Sequence, residues 1–146
     1  MQVKGNIEFE IVEQSADKVV GHMPVQAGIL NPFGTVHAGA TLWFADVCAT
    51  VLSFGGSEIQ AGQAGFPLAI NLNASLLGNQ KIGHFTATAE YVKKGSRLSV
   101  VRTTVRGDSG RLIAEVTTSH VPAQQSRVSG RPVHASVRSN ASAHSP

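Results

Sequence analysis

The hydrophobic pattern divides the chain into two short strands, one long helix and a run of longer strands. Residues 7–11, Ile-Glu-Phe-Glu-Ile, alternate apolar and polar positions, the period of a half-buried strand. Residues 18–25 predict a second strand, with Ser15-Ala-Asp-Lys18 as the turn before it. Residues 26–37 hold Asn31-Pro32 and two glycines and predict a loop. Residues 38–54 contain no proline, and their only glycine is Gly39 at the start. Leu42, Ala45, Ala49 and Leu52/Ser53 recur at helical spacing, and Phe44, Val47, Cys48 and Val51 widen the apolar face. The spacing predicts one long, largely buried helix, closed by Gly55-Gly56.

Residues 55–67 are a connection rich in Gly, Gln and Ala. Beyond it, residues 68–77, 82–92, 97–106 and 111–121 all read as strands. Their turns are Leu77-Gly-Asn-Gln-Lys81, Lys93-Lys-Gly-Ser96 and Gly107-Asp-Ser-Gly110, so an antiparallel meander is expected, with 68–77 as a central strand. The class is α+β: one long central helix wrapped by a curved antiparallel sheet. Residues 123–146 are rich in Ser, Ala, Arg and His and read as a disordered basic tail, leaving 1–122 as the folded domain.

Charge changes little. Residues 1–126 carry nine Lys/Arg against nine Asp/Glu, and the net +3 comes from Arg127, Arg131 and Arg138 in the tail. Basic residues in a tail do not make a folded nucleic-acid surface, so no nucleic-acid partner is expected. No stretch has the length of a membrane span, and the first ten residues do not read as a signal peptide, so the expected compartment is the cytoplasm. Cys48 is the only cysteine, which excludes an internal disulfide and a multi-cysteine metal site.

The chemistry concentrates where loop meets helix. A helix N-terminus offers unpaired N–H groups and partial positive charge, and so can polarise a carbonyl or hold an oxyanion. Here the junction is His37-Ala38-Gly39, whose small residues allow close approach to the backbone, and Asn31 adds a side-chain amide in the same loop. Asp46 is the only acidic residue between Asp17 and Glu58 and lies within an otherwise apolar helix. From position alone it serves either as a structural carboxylate bonded to a nearby loop or as a catalytic group. Ala38 and Asp46 are eight residues apart, about 12 Å along a helix. One chain therefore cannot bring both to the same carbonyl carbon. A reaction using both needs two chains, which predicts a homodimer with two equivalent shared sites.

The string Asn31-x2-Gly34-x2-His37-Ala-Gly39-x6-Asp46-x3-Thr50 resembles the PaaI-like branch of the hotdog-fold acyl-CoA thioesterases, which includes phenylacetyl-CoA and Arthrobacter-type 4-hydroxybenzoyl-CoA thioesterases. The resemblance covers about residues 5–121. It implies hydrolysis of an acyl-CoA, the acyl group being aromatic in several members. Asp46 would be the nucleophile, or the base that activates water. The Ala38 N–H would polarise the thioester carbonyl, with Gly39 beside it. Asn31 would orient the thioester or the water, His37 would shape the site, and Thr50 would hold the water or the carboxylate. The family usually has glycine where this chain has Ala38, a change that keeps the N–H. The resemblance also implies a dimer, or a dimer of dimers, and no cofactor or metal beyond the coenzyme A of the substrate. CoA phosphates would be held at strand turns, for which Lys93, Lys94, Ser96 and Arg97 are the candidates, with Arg111 behind them.

Other strings carry less. Gly107-Asp-Ser-Gly110 copies a serine-protease string and Arg106-Gly-Asp108 an adhesion tripeptide, but both fall in one tight turn. Cys48 reads as a small buried thiol, and His22, His84 and His120 as isolated strand residues in structural or exposed roles. Phe33, Trp43, Phe54 and Phe66 fit an aromatic-acyl pocket or core packing equally well. A hotdog hydratase or dehydratase is the alternative enzyme, but its histidine follows Asn-Pro more closely and its preceding Asp is Ile29-Leu30 here. A non-catalytic acyl-CoA-binding module would lack the carboxylate at position 46.

Overall fold

The computed structural model describes residues 1–55 and 63–124. The expected tail and most of the 55–67 connection, Glu58 included, lie outside the described residues. In chain order the elements are β1 (Glu10–Gln14), β2 (Lys18–Pro24), a 3-10 turn (Ala27–Ile29), α1 (Ala38–Phe54), β3 (Pro67–Leu76), β4 (His84–Lys93), β5 (Ser99–Arg106) and β6 (Leu112–Pro122). The six strands form one antiparallel sheet in the order β1-β2-β4-β5-β6-β3, with α1 packed on its concave face. No helix among the described residues is long and apolar enough to cross a membrane.

The helix bounds match the sequence expectation. Gly55 ends α1 at φ +75°, a left-handed conformation that glycine adopts without a Cβ clash. Thr41, Phe44, Ala45, Cys48, Ala49 and Leu52 are its buried stripe. They meet the inward rows of the sheet: Val19, Gly21 and Met23 on β2; Phe85, Ala87 and Ala89 on β4; Val101, Thr103 and Val105 on β5; Ala114, Val116, Thr118 and His120 on β6. Register puts these positions side by side, as in Gly21↔Ala87↔Val105↔Ala114. At Gly21 an added Cβ would sit 2.7 Å from Cys48 Sγ and 2.8 Å from Phe44 Cε2, so glycine lets helix and sheet approach.

Two expectations need correction. The first strand begins at Glu10, not Ile7: Ile7, Phe9 and Ile11 do pack on the core, but the Asn6 N–H bonds the Gly28 carbonyl and the stretch before residue 10 follows the loop. The meander is β4-β5-β6 only. The strand expected to be central, β3, pairs with β6 and is an edge strand. The segment 77–83 is therefore a crossover and not a hairpin turn. Reaching β4 from β3 means passing three strand spacings, roughly 14 Å, and seven residues reach about 23 Å. Nothing in its length forces the two strands together.

The β3 strand has two further features. It skips a register step between Ala69 and Asn71, so Ile70 is a bulge residue. The bulge reverses side-chain parity: Pro67 and Ala69 lie on the helix side before it, and Leu72, Ala74 and Leu76 after it, as their partners on β6 show. Leu68, Ile70, Leu72 and Leu76 are all exposed along this edge.

Candidate active site

The loop before the helix is tied down at both ends. Asn31 N–H bonds the Thr35 carbonyl at 2.8 Å, His37 N–H bonds the Ile29 carbonyl at 2.8 Å, and Leu30 and Val36 form a bridge between them. This pairing turns the Val36 N–H and C=O outward, where the Asn79 side chain takes both. Asn79 Oδ1 accepts from Val36 N at 3.0 Å and Nδ2 donates to Val36 O at 2.8 Å. Sequence reading placed Asn79 in a turn and missed it. The bond spans 43 residues, and no local pattern announces it.

Within the loop Asn31 acts on its own neighbours. Its Oδ1 accepts from Phe33 N and Thr35 N, and its Nδ2 donates to Thr35 Oγ1 at 2.9 Å. One Nδ2 hydrogen is left without a partner among the described residues. His37 is the N-cap of α1, and its Nδ1 accepts from Gly39 N at 2.9 Å. That bond fixes the neutral ring with its proton on Nε2. It also separates the two neighbouring amides: Gly39 N–H is occupied, whereas Ala38 N–H bonds nothing among the described residues and is exposed.

Asp46 lies on the flank of α1, in a row with Thr50 and Ser53 at spacings of four and three residues. Asp46 and Thr50 line a cavity of about 290 Å³ with Val47, Val51, Phe66, Pro67, Leu68 and Ala69. The Asp46 Oδ1 is buried and has no hydrogen-bond partner among the described residues. Burial pushes its carboxyl above the usual carboxylate range, and the charge of His120 pulls it part of the way back. Among the described residues no hydrogen bond ties Asp46 Oδ1 to a neighbouring loop.

The two halves do not meet in one chain. The Asp46 cavity contains no residue of the 31–39 loop, and the cavity holding His37 and Gly39 is lined by residues 3–7, 28–30, Ala40 and Trp43. The aromatic candidates separate as well. Phe66 lines the Asp46 cavity and packs on Phe54 at 5.9 Å, while Trp43 meets Phe9 at 6.0 Å on the His37 side. Phe33 and Trp43 are exposed, so core packing does not explain them.

No family model matches the chain. It is 32% identical over 105 residues to ComA2 of Bacillus subtilis strain 168, which carries an esterase assignment; the match covers 72% of this chain and 81% of that protein. Its fold and identity also match the Staphylococcus aureus thioesterase SAV0944, at a TM-score of 0.71 and 27% identity, covering 78% of this chain and 92% of that one. The chain belongs to the hotdog-fold thioesterases. A 1,4-dihydroxy-2-naphthoyl-CoA hydrolase of Listeria monocytogenes is 27% identical over 113 residues, 77% of this chain and 89% of that protein.

In this thioesterase the β4–β5 turn sorts the basic candidates. Lys94 is engaged with the β1–β2 turn: its Nζ donates to the Ala16 carbonyl at 3.0 Å, lies 3.6 Å from Asp17 and sits 5.0 Å over the Tyr91 ring. Lys93 and Arg97 are exposed. Ser96 borders a second cavity with Ser53, Gly65, Pro67, Gly95, Ser99 and His120. Pro67 lines both this cavity and that of Asp46, so the two adjoin. Arg111 stands at another turn, beside Gly78. Cys48 is fully buried and its thiol is pushed up to about 12 by desolvation. Among the described residues no three His, Cys, Asp or Glu side chains gather as metal ligands would.

Proposed function

We propose that this thioesterase hydrolyses an acyl-CoA to the free acid and coenzyme A, at a site that two copies of the chain complete. The observation carrying the proposal is Asp46: a carboxylate with one buried, unpartnered oxygen facing an apolar cavity. Such a group is costly to a fold that makes no use of it. A thioester suits it, because a thiolate leaves readily and the carboxylate needs only a polarised carbonyl. The free Ala38 N–H at the helix N-terminus supplies that polarisation, and Asp46 acts as nucleophile or as the base for water. Thr50 shares the Asp46 cavity and holds the water or the carboxylate. Asn31, with its one free amide hydrogen, and His37, with its outward Nε2–H, border the carbonyl.

The second copy follows from distance and from the edge of the sheet. Ala38 of one chain is about 12 Å along the helix from its own Asp46. The exposed edge of β3 with its apolar residues offers the surface for a partner. A dimer, and a dimer of dimers beyond it, is the expected assembly. Lys93, Ser96 and Arg97 meet the phosphates of CoA. Phe66, backed by Phe54, favours an aromatic acyl group, in line with the naphthoyl-CoA substrate named for the Listeria relative.

The test is thiol release from benzoyl-, phenylacetyl-, 4-hydroxybenzoyl- and straight-chain acyl-CoAs. Asp46→Asn should lose at least about a hundredfold in turnover on every substrate cleaved. Mixing Asp46→Asn with Asn31→Ala chains should restore part of the activity. Turnover undiminished in Asp46→Asn removes the assignment.

A further inference from the structure

His120 is a buried histidine that the site as described leaves unused. It is 2% exposed, on the last turnward part of β6, in the row that continues Val116 and Thr118 toward the helix. Its Nε2 is held 2.8 Å from Thr118 Oγ1, while its Nδ1 is buried and has no hydrogen-bond partner among the described residues. The Pro67 carbonyl favours the charged ring but closes no hydrogen bond to Nδ1.

Its place relative to Asp46 follows from register. His120 pairs across the sheet with Ala69, and Ala69 lines the Asp46 cavity. Directly opposed cross-strand side chains share a face about 5 Å apart. The bulge at Ile70 is what puts Ala69 and Pro67 on that face; without it β3 would carry the opposite parity here. Pro67 is the shared wall between the cavity of Asp46 and that of His120 and Ser53. Three buried polar atoms without a hydrogen-bond partner among the described residues thus lie around one proline: Asp46 Oδ1, Ser53 Oγ and His120 Nδ1.

We propose that His120 is a positioning residue for Asp46: its imidazole, anchored through Nε2 by Thr118, orients the carboxylate and balances its charge. The inference rests on the thioesterase reading of Asp46. Burial raises the Asp46 carboxyl and lowers the His120 imidazole, and each charge pulls the other part of the way back, His120 lowering Asp46 and Asp46 raising His120. Among the described residues no other charge competes from the packed elements. Asp46 is the only charged residue of α1, and β3 has none. Arg102 and Arg106 on β5, Glu115 on β6, and His84, Glu90 and Lys93 on β4 are exposed. Lys18 and His22 on β2 lie two strands beyond β5, and the half-buried Tyr91 hydroxyl donates to the Leu52 carbonyl. Glu58 lies outside the described residues.

The experiment has two arms. In the first, kcat/KM for a cleaved acyl-CoA is measured against pH for wild type, His120→Asn and Thr118→Val. A protonated His120 favours ionised Asp46, so its removal should move the acid limb to higher pH by about one unit, with Thr118→Val between. A uniform loss with an unmoved limb would mean that His120 only fills space, and would overturn the proposal. In the second, the His120 ring is titrated by NMR in wild type and Asp46→Asn. Its midpoint should fall when the carboxylate is removed, and an unmoved midpoint also overturns the proposal. This arm needs neither activity nor a folded His120 variant. Coupled titration in a protein that cleaves no thioester would keep the pair and discard the enzymatic reading.

Discussion

Replacing Asn79 with alanine removes the clamp on the candidate active-site loop. The Asn79 amide makes both hydrogen bonds to the Val36 backbone, at 3.0 and 2.8 Å, and Val36 is 1% exposed. Truncation leaves a buried N–H and a buried C=O unpaired, each worth about 1–3 kcal/mol. Asn79 is itself half-buried, so water can enter from its side and the lower part of that range applies. The expected loss is about 2–3 kcal/mol. It should appear in urea denaturation at fixed protein concentration as a lower midpoint with an unchanged slope. Val36 directly precedes the N-cap, so the loss should also reach catalysis: turnover under folded conditions should fall between about ten- and a hundredfold through displacement of the Ala38 N–H. Asn79→Asp separates the two bonds. It keeps the acceptor for Val36 N–H but sets a carboxylate oxygen against Val36 O, so it should be as damaging as alanine at neutral pH and recover as the carboxyl protonates. A change below about 0.5 kcal/mol in Asn79→Ala, the scale of ordinary surface substitutions, would refute the clamp.

Two further predictions concern the partner chain and the substrate. Ile70→Lys places a charge at the exposed bulge of the β3 edge, where Ile70 is 61% exposed, and should shift sedimentation toward monomer and lower activity in parallel; a dimer with unchanged activity would put the interface elsewhere. Lys93→Ala with Arg97→Ala should raise KM for acyl-CoA with kcat nearly unchanged, since uniform binding is lost, and the increase should shrink at high salt; an unmoved KM would remove this turn from CoA binding.

Much of the fold and part of the candidate site could be read along the chain, because the relevant forces are local. The helix from Ala38 to Phe54 follows from spacing and from the glycine after it, and β2, β4, β5 and β6 follow from alternation. The candidacy of His37, Ala38 and Asp46 came from a helix N-terminus and a carboxylate at a set spacing. Even the expectation of two chains was a consequence of rise per residue. What the sequence could not contain was partnership at long range. That β3 pairs with β6 and stands at the edge depends on which strand claims β4, and a seven-residue crossover permits either choice. That Ala38 N–H is free while Gly39 N–H is taken depends on the His37 rotamer. Asn79 was one turn residue among several until tertiary packing laid it against Val36. His120 had the inward parity of Val116 and Thr118, a legible signal, but only the bulge at Ile70 and the packing of α1 give that parity an object. The sequence determined what each segment prefers and which residues could do chemistry. The tertiary structure decided which of their polar atoms were left unpaired, because that depends on contacts between segments far apart in the chain.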